Sequence, residues 1–263
     1  RTKLARARLL QARGRFDEAR TLYQAASEEP GHRVPALVHQ AAMELEQGNA
    51  ARAVELSSPL LTAHPNHPDV VPVAVEAQLG EEHAEEAMAL VTPALERHPR
   101  DVRLLAAKAH VEMALEQWEE ALATLDTALR IEDDDADLHA DRGRAARHLE
   151  RLEVAREAFD RSLTLAESHP AALVGRLELD ILDFRAAEGR QILDRIDAAE
   201  ISSLRVERLR GRLLMMEIAG QSGVREVRQA LDDHARDAEL TMALGWLYMQ
   251  AEQYSQAVQT FQR

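Results

Sequence analysis

Cysteine is absent from the 263 residues of this chain, which removes disulfides, thiolate zinc sites and cysteine nucleophiles from consideration. Large rings are nearly as scarce: aromatic residues make up 3% of the chain against 46% hydrophobic residues, so Ala and Leu must fill any core. Those two are the strongest helix formers, while the β-branched and aromatic residues that suit strands are sparse, so an all-helical chain is expected. No apolar run approaches the roughly 20 residues of a membrane span, and Arg1 to Leu10 is too charged for a signal peptide. A soluble segment is expected, cytoplasmic or periplasmic, with any signal or anchor outside these residues. Lysine is confined to Lys3 and Lys108 among 32 basic residues, and this Arg bias, with abundant Ala, reads as the product of a GC-rich bacterial genome. The net charge of -14 argues against nucleic acid as a partner, since phosphate recognition draws on a basic surface. Linkers rich in Gly, Ser or Pro are missing too, so the chain reads as one continuous array.

What the chain does contain is a repeat. Ala19, Ala53, Ala87, Ala121 and Ala155 follow one another at intervals of 34, and the series resumes at Ala257. The surroundings recur as well: Phe16-Asp-Glu-Ala19, Trp118-Glu-Glu-Ala121 and Tyr254-Ser-Gln-Ala257 are one phrase written three times. A period of this length means stacked supersecondary units. Within a period, Trp118, Ala121, Leu122, Leu125, Ala128 and Leu129 form one stripe of an amphipathic helix, and Leu104, Leu105, Ala109, Val111 and Met113 mark a helix before it. Turn and helix-start residues punctuate the joins at Pro65, Pro99, Asp133 to Asp135 and Pro170, so each repeat is two antiparallel helices, A and B.

The spacing and residue types resemble the tetratricopeptide repeat, in which small residues at positions 8, 20 and 27 let helices approach while large residues at 4, 7, 11, 17 and 24 fill the grooves beside them. The last repeat carries Leu244, Gly245, Tyr248, Tyr254, Ala257 and Phe261 at positions 7, 8, 11, 17, 20 and 24. Gly143, Ala155 and Phe159 stand at 8, 20 and 24 of the fifth. The resemblance implies an α-α superhelix, a solenoid of eight antiparallel helix pairs at about 1–32, 33–66, 67–100, 101–134, 135–169, 170–202, 203–236 and 237–263. The last repeat stops inside helix B, so the chain reads as a fragment of a longer protein, with ends expected to fray or self-associate. Between about 166 and 236 two registers fit: strict counting puts Gly189 and Gly223 at the small position 20, and the alternative puts Ala187 there.

Sites for chemistry are thin. The run from Glu132 to Asp137 has the alternating Asp of a calcium loop, but it lacks the sixth-position Gly and has Arg144 where the bidentate Glu belongs, so it reads as a turn whose Asp residues cap the next helix. His64 and His67, each followed by Pro, read as an exposed turn without a third metal ligand. Neither a phosphate loop nor a nucleophile elbow occurs, and the carboxylates lie scattered on polar helix faces. No catalysis, cofactor or metal is expected.

The resemblance also implies a concave groove lined by positions 2, 5, 9, 12 and 13 of each helix A. Secure registers place His110 and Met113, then Arg144, Arg147 and His148, and finally Met242, Trp246 and Met249 on that wall. The strict register adds Arg208, Arg212, Met215 and Met216. A basic wall ending in a Met-rich patch suits an acidic segment with a hydrophobic anchor, although Asp141 and its neighbours neutralise part of the Arg charge and Met also serves as core filler. The family's carboxylate clamp of Lys and Asn is not reproduced, since position 5 carries Leu4, Val38, Pro72, Ala106 and Ala140 in the first five repeats and position 9 carries Arg8, Ala42, Glu76, His110 and Arg144. The expected function is a non-catalytic scaffold that binds a peptide or folded partner, within a bacterial envelope, secretion or regulatory assembly. Its rivals are an accessory module of an enzyme such as a transferase, whose catalytic domain lies elsewhere, and a homo-oligomer assembled through the terminal repeats.

Overall fold

A computed structural model describes residues 2–29, 31–183, 185–217, 227–229, 231, 238–250 and 253–262. Among these residues the chain is all-α, with fifteen helices and no strand. It divides into two compact units, Arg1–Asp134 and Asp135–Arg263, and the division falls at the join between the fourth and fifth repeats. The first unit holds α1 (Thr2–Ala12), α2 (Phe16–Ser27), α3 (Arg33–Glu46), α4 (Ala50–Ala63), α5 (Val70–Gly80), α6 (Ala84–Arg97), α7 (Val102–Ala114) and α8 (Trp118–Leu129). The second holds α9 (Ala136–His148), α10 (Leu152–Leu165), α11 (Pro170–Leu182), α12 (Ala186–Ala198), α13 (Leu204–Glu217), α14 (Ala238–Gln250) and α15 (Tyr254–Phe261).

Each odd-numbered helix up to α13 is a helix A. From α1 to α11 its end is set by one backbone device: the amide at position 16 donates to the carbonyl at position 11, as in Arg15 to Leu10 (2.9 Å), Asn49 to Glu44 (2.8 Å), Gln117 to Glu112 (2.8 Å) and Arg185 to Asp180 (2.7 Å). Such a closure needs a left-handed residue in between. Gly14 and Gly48 supply it without strain at φ 71° and 75°, whereas Glu82, Glu116 and Glu150 adopt it at φ 63°, 58° and 57° despite their Cβ atoms. The turn reverses the chain onto helix B. At the other join, Asp101 caps α7 by accepting from the amides of Arg103 and Leu104, and Asp135 caps α9 through those of Asp137 and Leu138. The acidic run is therefore a helix start, as the sequence implied.

Close approach of A to B occurs at the small residue of position 20. Ala19, Ala53, Ala87, Ala121, Ala155 and Ala257 are all fully buried. In the sixth repeat α12 begins at Ala186, Gly189 is buried and Ala187 is exposed, so strict counting gives the register there. Gly223, its counterpart in the seventh repeat, lies outside the described residues.

Within each unit, helix A also packs on the preceding helix B and beside the neighbouring helix A. Tyr23 of α2 and Met43 of α3 share one cluster, and Val91 of α6 and Val111 of α7 share another. Consecutive hairpins are further joined by ion pairs, one part-buried and one buried. Arg20 Nε donates to Glu44 Oε1 at 2.7 Å, and Arg156 Nη1 donates to Asp180 Oδ1 at 2.9 Å, in both cases from position 21 of one repeat to position 11 of the next.

Candidate partner-binding pocket

Side-by-side A helices bring positions 2, 5, 9 and 12 onto one face, although Ala140, Met113 and Ile181 at such positions are buried, and in the second unit that face closes into a pocket of about 280 Å³. Arg144 and Arg147 of α9 form one side, Val174 and Glu178 of α11 the middle, and Arg205 of α13 the other side. Phe159 and Gly175 lie at its apolar floor.

Charge in the pocket is shared. Arg144 Nη2 donates to Asp141 Oδ1 at 2.8 Å. Glu178 stands between two guanidiniums, accepting from Arg205 Nε at 2.7 Å with Arg147 Nε 3.4 Å away. Three guanidiniums thus meet two carboxylates, and the side chains of Arg144 and Arg205 remain 48% and 55% exposed above the floor. His148 adds no charge near neutrality: burial, then the adjacent Arg147 and Arg144, push its pKa below the usual 6.5. Its Nε2 lies 3.0 Å from Arg147 Nη2, which fits an unprotonated acceptor nitrogen.

The other sequence-derived candidates fall into separate groups. His110 belongs to the first unit, where its Nδ1 sits 2.6 Å from Glu76 Oε1, the residue at the same position one repeat earlier. Met113 corrects the sequence expectation: only 6% exposed, it is core and not groove. The reason is that α7 is enclosed on several sides, burying Leu104, Leu105, Ala107, Ala109, Val111 and Glu112 as well. Arg208 and Arg212 are exposed on α13 and Met216 is half-buried, while the side chain of Met215 lies outside the described residues. Met242, Trp246 and Met249 are 54%, 53% and 38% exposed along one face of α14, with Trp246 edge-on to Phe261 at 6.3 Å between ring centroids.

Sequence reasoning missed Val174, Glu178 and Arg205. Strict counting places them at positions 5 and 9 of the sixth repeat and 2 of the seventh, so the signal was present once the register was fixed. It also missed the Arg20–Glu44 and Arg156–Asp180 pairs, whose partners are 24 residues apart on different helices. Among the described residues no group of three or more metal-ligating side chains occurs. None of the described helices is long and apolar enough to cross a membrane.

Comparisons with known proteins agree with this architecture. No curated protein matches the chain significantly in sequence. Solved structures do match in fold. TTC0263, a thermophilic TPR protein of Thermus thermophilus, is 23% identical over 68% of this chain and 97% of its own, with a TM-score of 0.61. A chain of the APC/C hetero-tetramer Cut9–Hcn1 matches 98% of this chain at 15% identity and a TM-score of 0.78, this chain spanning 51% of its length. PilW, a type IV pilus biogenesis factor, is 14% identical over 79% of this chain and 96% of its own, with a TM-score of 0.69. Two family models, both described as tetratricopeptide repeat, match residues 78–145 in one case and residues 4–68 and 221–263 in the other. Together these segments take in more than half of the chain, which belongs to the tetratricopeptide repeat family.

Proposed function

We propose that this chain is a non-catalytic protein-interaction scaffold, and that the pocket of its second unit receives an acidic segment of a partner protein with a small apolar anchor. One observation carries the reading: Arg144, Arg147 and Arg205 ring an apolar floor that holds only two carboxylates, in a protein whose net charge is -14. A partner carboxylate entering there meets guanidiniums geometrically suited to bidentate pairing. A volume of about 280 Å³ suits one or two side chains more than a whole small-molecule substrate. Local positive charge on an acidic protein also favours acidic segments at this pocket over the surface at large. The exposed Met242, Trp246 and Met249 offer an adaptable apolar surface for a longer partner.

The matched Cut9–Hcn1 chain comes from a hetero-tetramer and the matched PilW is a type IV pilus biogenesis factor. An envelope, secretion or regulatory assembly is the setting we propose for this chain.

The test is a defined peptide library in which Asp and Glu content and a single Leu or Phe are varied, screened by fluorescence polarisation at several salt concentrations. Acidic peptides with an apolar anchor are expected to bind, and reversal of Arg144 and Arg147 to Glu should weaken them by about tenfold or more while helicity stays unchanged. Equal affinity of neutral and acidic peptides, or an unaffected double variant, overturns the pocket assignment.

A further inference from the structure

Aromatic rings in this chain follow the repeat closely. Among the described residues, Phe16, Trp118 and Tyr254 stand at position 17, Tyr248 at position 11, and Tyr23, Phe159 and Phe261 at position 24, all places that the repeat reserves for large side chains. Trp246 is the exception. It stands at position 9 of α14, on the face that helix A turns to the groove, with Met242 one turn before it at position 5. Packing of the hairpins asks for no ring there, since the corresponding residues of the second unit are Arg144, Glu178 and Arg212. Position 9 is also open inside the array, where Arg144 and Arg212 are both exposed.

Beside this ring stands positive charge. Helix α13 lies directly against α14, so close that a Cβ on Gly211 would come within 2.6 Å of Leu240 Cδ2. Arg205, Arg208 and Arg212 fall at i, i+3 and i+7 of α13 and form one exposed stripe on its groove face. Arg205, which shares its charge with Glu178, is already a wall of the pocket. Steps between neighbouring A helices bring position 9 of one beside positions 2 and 9 of the next: Glu178 accepts from Arg205 at 2.7 Å, and Glu76 Oε1 lies 2.6 Å from His110 Nδ1. The same step from α13 to α14 sets Arg212 in the row of Met242 and Trp246. The stripe therefore leads from the apolar floor of the pocket, over guanidiniums, to a second apolar surface.

We infer that Met242 and Trp246 form a second anchor site, which takes an aliphatic or aromatic side chain of the same acidic segment whose first anchor fills the pocket. Asp and Glu residues between the two anchors lie over the α13 stripe, where guanidiniums pair with them. This second site rests on the pocket reading proposed above and adds to it a spacing. The pocket floor on α11 and the ring on α14 are two interhelical steps apart, each of about 8–10 Å, so the anchors lie about 16–20 Å from each other. An extended chain covers about 3.3 Å per residue, so the second anchor falls about five or six residues along from the first. Trp supplies a rigid contact of the kind that dominates binding energy, and Met adapts to the shape of the anchor.

Acidic peptides that share the first anchor and carry a second Leu about two to ten residues away, on either side, test it by fluorescence polarisation. Affinity is expected to peak with the second Leu five or six residues on, by about tenfold over the single-anchor peptide. Trp246→Ala should erase that gain, so that both peptides bind the variant alike. The ring is 53% exposed, so its loss spares the core, and circular dichroism checks the helicity. The indole gives a second readout: the chain has two tryptophans, so in a Trp118→Phe background Trp246 reports alone. Its emission should shift to the blue and lose quenching by iodide with the two-anchor peptide and not with the single-anchor one. Failure of every acidic peptide to bind overturns the pocket and the second site together. Single-anchor binding with no dependence on spacing, a gain that survives Trp246→Ala, or an indole that stays open to iodide overturns the second site alone.

Discussion

Gly175 of α11 lies flat against the ring of Phe159 from the preceding hairpin: a Cβ on Gly175 would stand 2.3 Å from Phe159 Cζ. Gly143 of α9 closes the other side, where a Cβ would stand 2.6 Å from Phe159 Cε1. One large ring thus fills a slot cut by two missing side chains, and it is 2% exposed. Gly245 faces Phe261 in the same way within the last hairpin, at 2.3 Å. Both glycines on Phe159 are interior helix residues, so their cost in helix propensity is tolerated for packing and not for backbone freedom.

The substitution Gly175→Ala weighs two effects against each other. Alanine gains about 1 kcal/mol of helix propensity. Overpacking a filled slot costs about 1–3 kcal/mol, and Phe159 cannot retreat because Gly143 backs it. The expected result is a net loss of up to about 2 kcal/mol, and no gain, in chemical denaturation. Adding Phe159→Leu should recover part of it, which a purely local helix effect would not allow.

Much of this was legible in the sequence, and the omissions have physical causes. The 34-residue recurrence of Ala19 to Ala155 located the A–B contact because a small residue is required where helices cross. The sixth repeat was ambiguous because Ala187 and Gly189 are both small, and only burial separates them. That ambiguity hid Glu178 and Arg205 from the pocket. Met113 was misplaced because a helix A enclosed by neighbours buries more than one stripe, so a family position alone does not decide exposure. The inter-hairpin ion pairs escaped because an amphipathic pattern treats every charge as solvent-facing.

The pair Arg156–Asp180 is expected to behave as a buried charge pair. Asp180 is fully buried, and Arg156 also reaches Asp183. Asp180→Ala leaves guanidinium charge uncompensated in the interior and should cost about 3–5 kcal/mol. The double variant Arg156→Met, Asp180→Leu removes this pair and leaves Arg176, the other guanidinium held by Asp180, to its bond with Asp160, so it should cost less than Asp180→Ala alone. Urea denaturation of the two variants decides this; equal losses in the single and double variants would mean that lost packing, not unpaired charge, governs the site.

Acid should destabilise the first unit in two windows. His39 is half-buried against Tyr23, and partial burial, followed by the charge of Arg8, holds its pKa below 6.5, so the folded state binds fewer protons than the unfolded one. Its contribution is present above about pH 6.5 and lost as pH falls through the depressed value. Glu44 is held below 4.5, chiefly by its hydrogen bond from Arg20, so its contribution is present above about pH 4.5 and disappears below. Denaturant midpoints followed against pH should lose the upper slope in His39→Gln and the lower slope in Glu44→Gln. If both variants keep the parent's slopes, other groups control the acid limb.

Glu178 tests the pocket's electrostatics in the opposite direction from charge reversal. Its carboxylate occupies Arg205 and lies near Arg147, so it competes with any carboxylate a partner brings. Glu178→Gln keeps the shape, leaves three guanidiniums facing one carboxylate, and should strengthen the binding of acidic peptides by a few-fold to about tenfold. The steeper salt dependence expected with it separates a charge effect from a packing effect, because screening acts only on the former. Peptides lacking Asp and Glu should gain nothing. An equal gain for those peptides, or none for acidic ones, would mean that the apolar floor selects the partner and the guanidiniums only frame it.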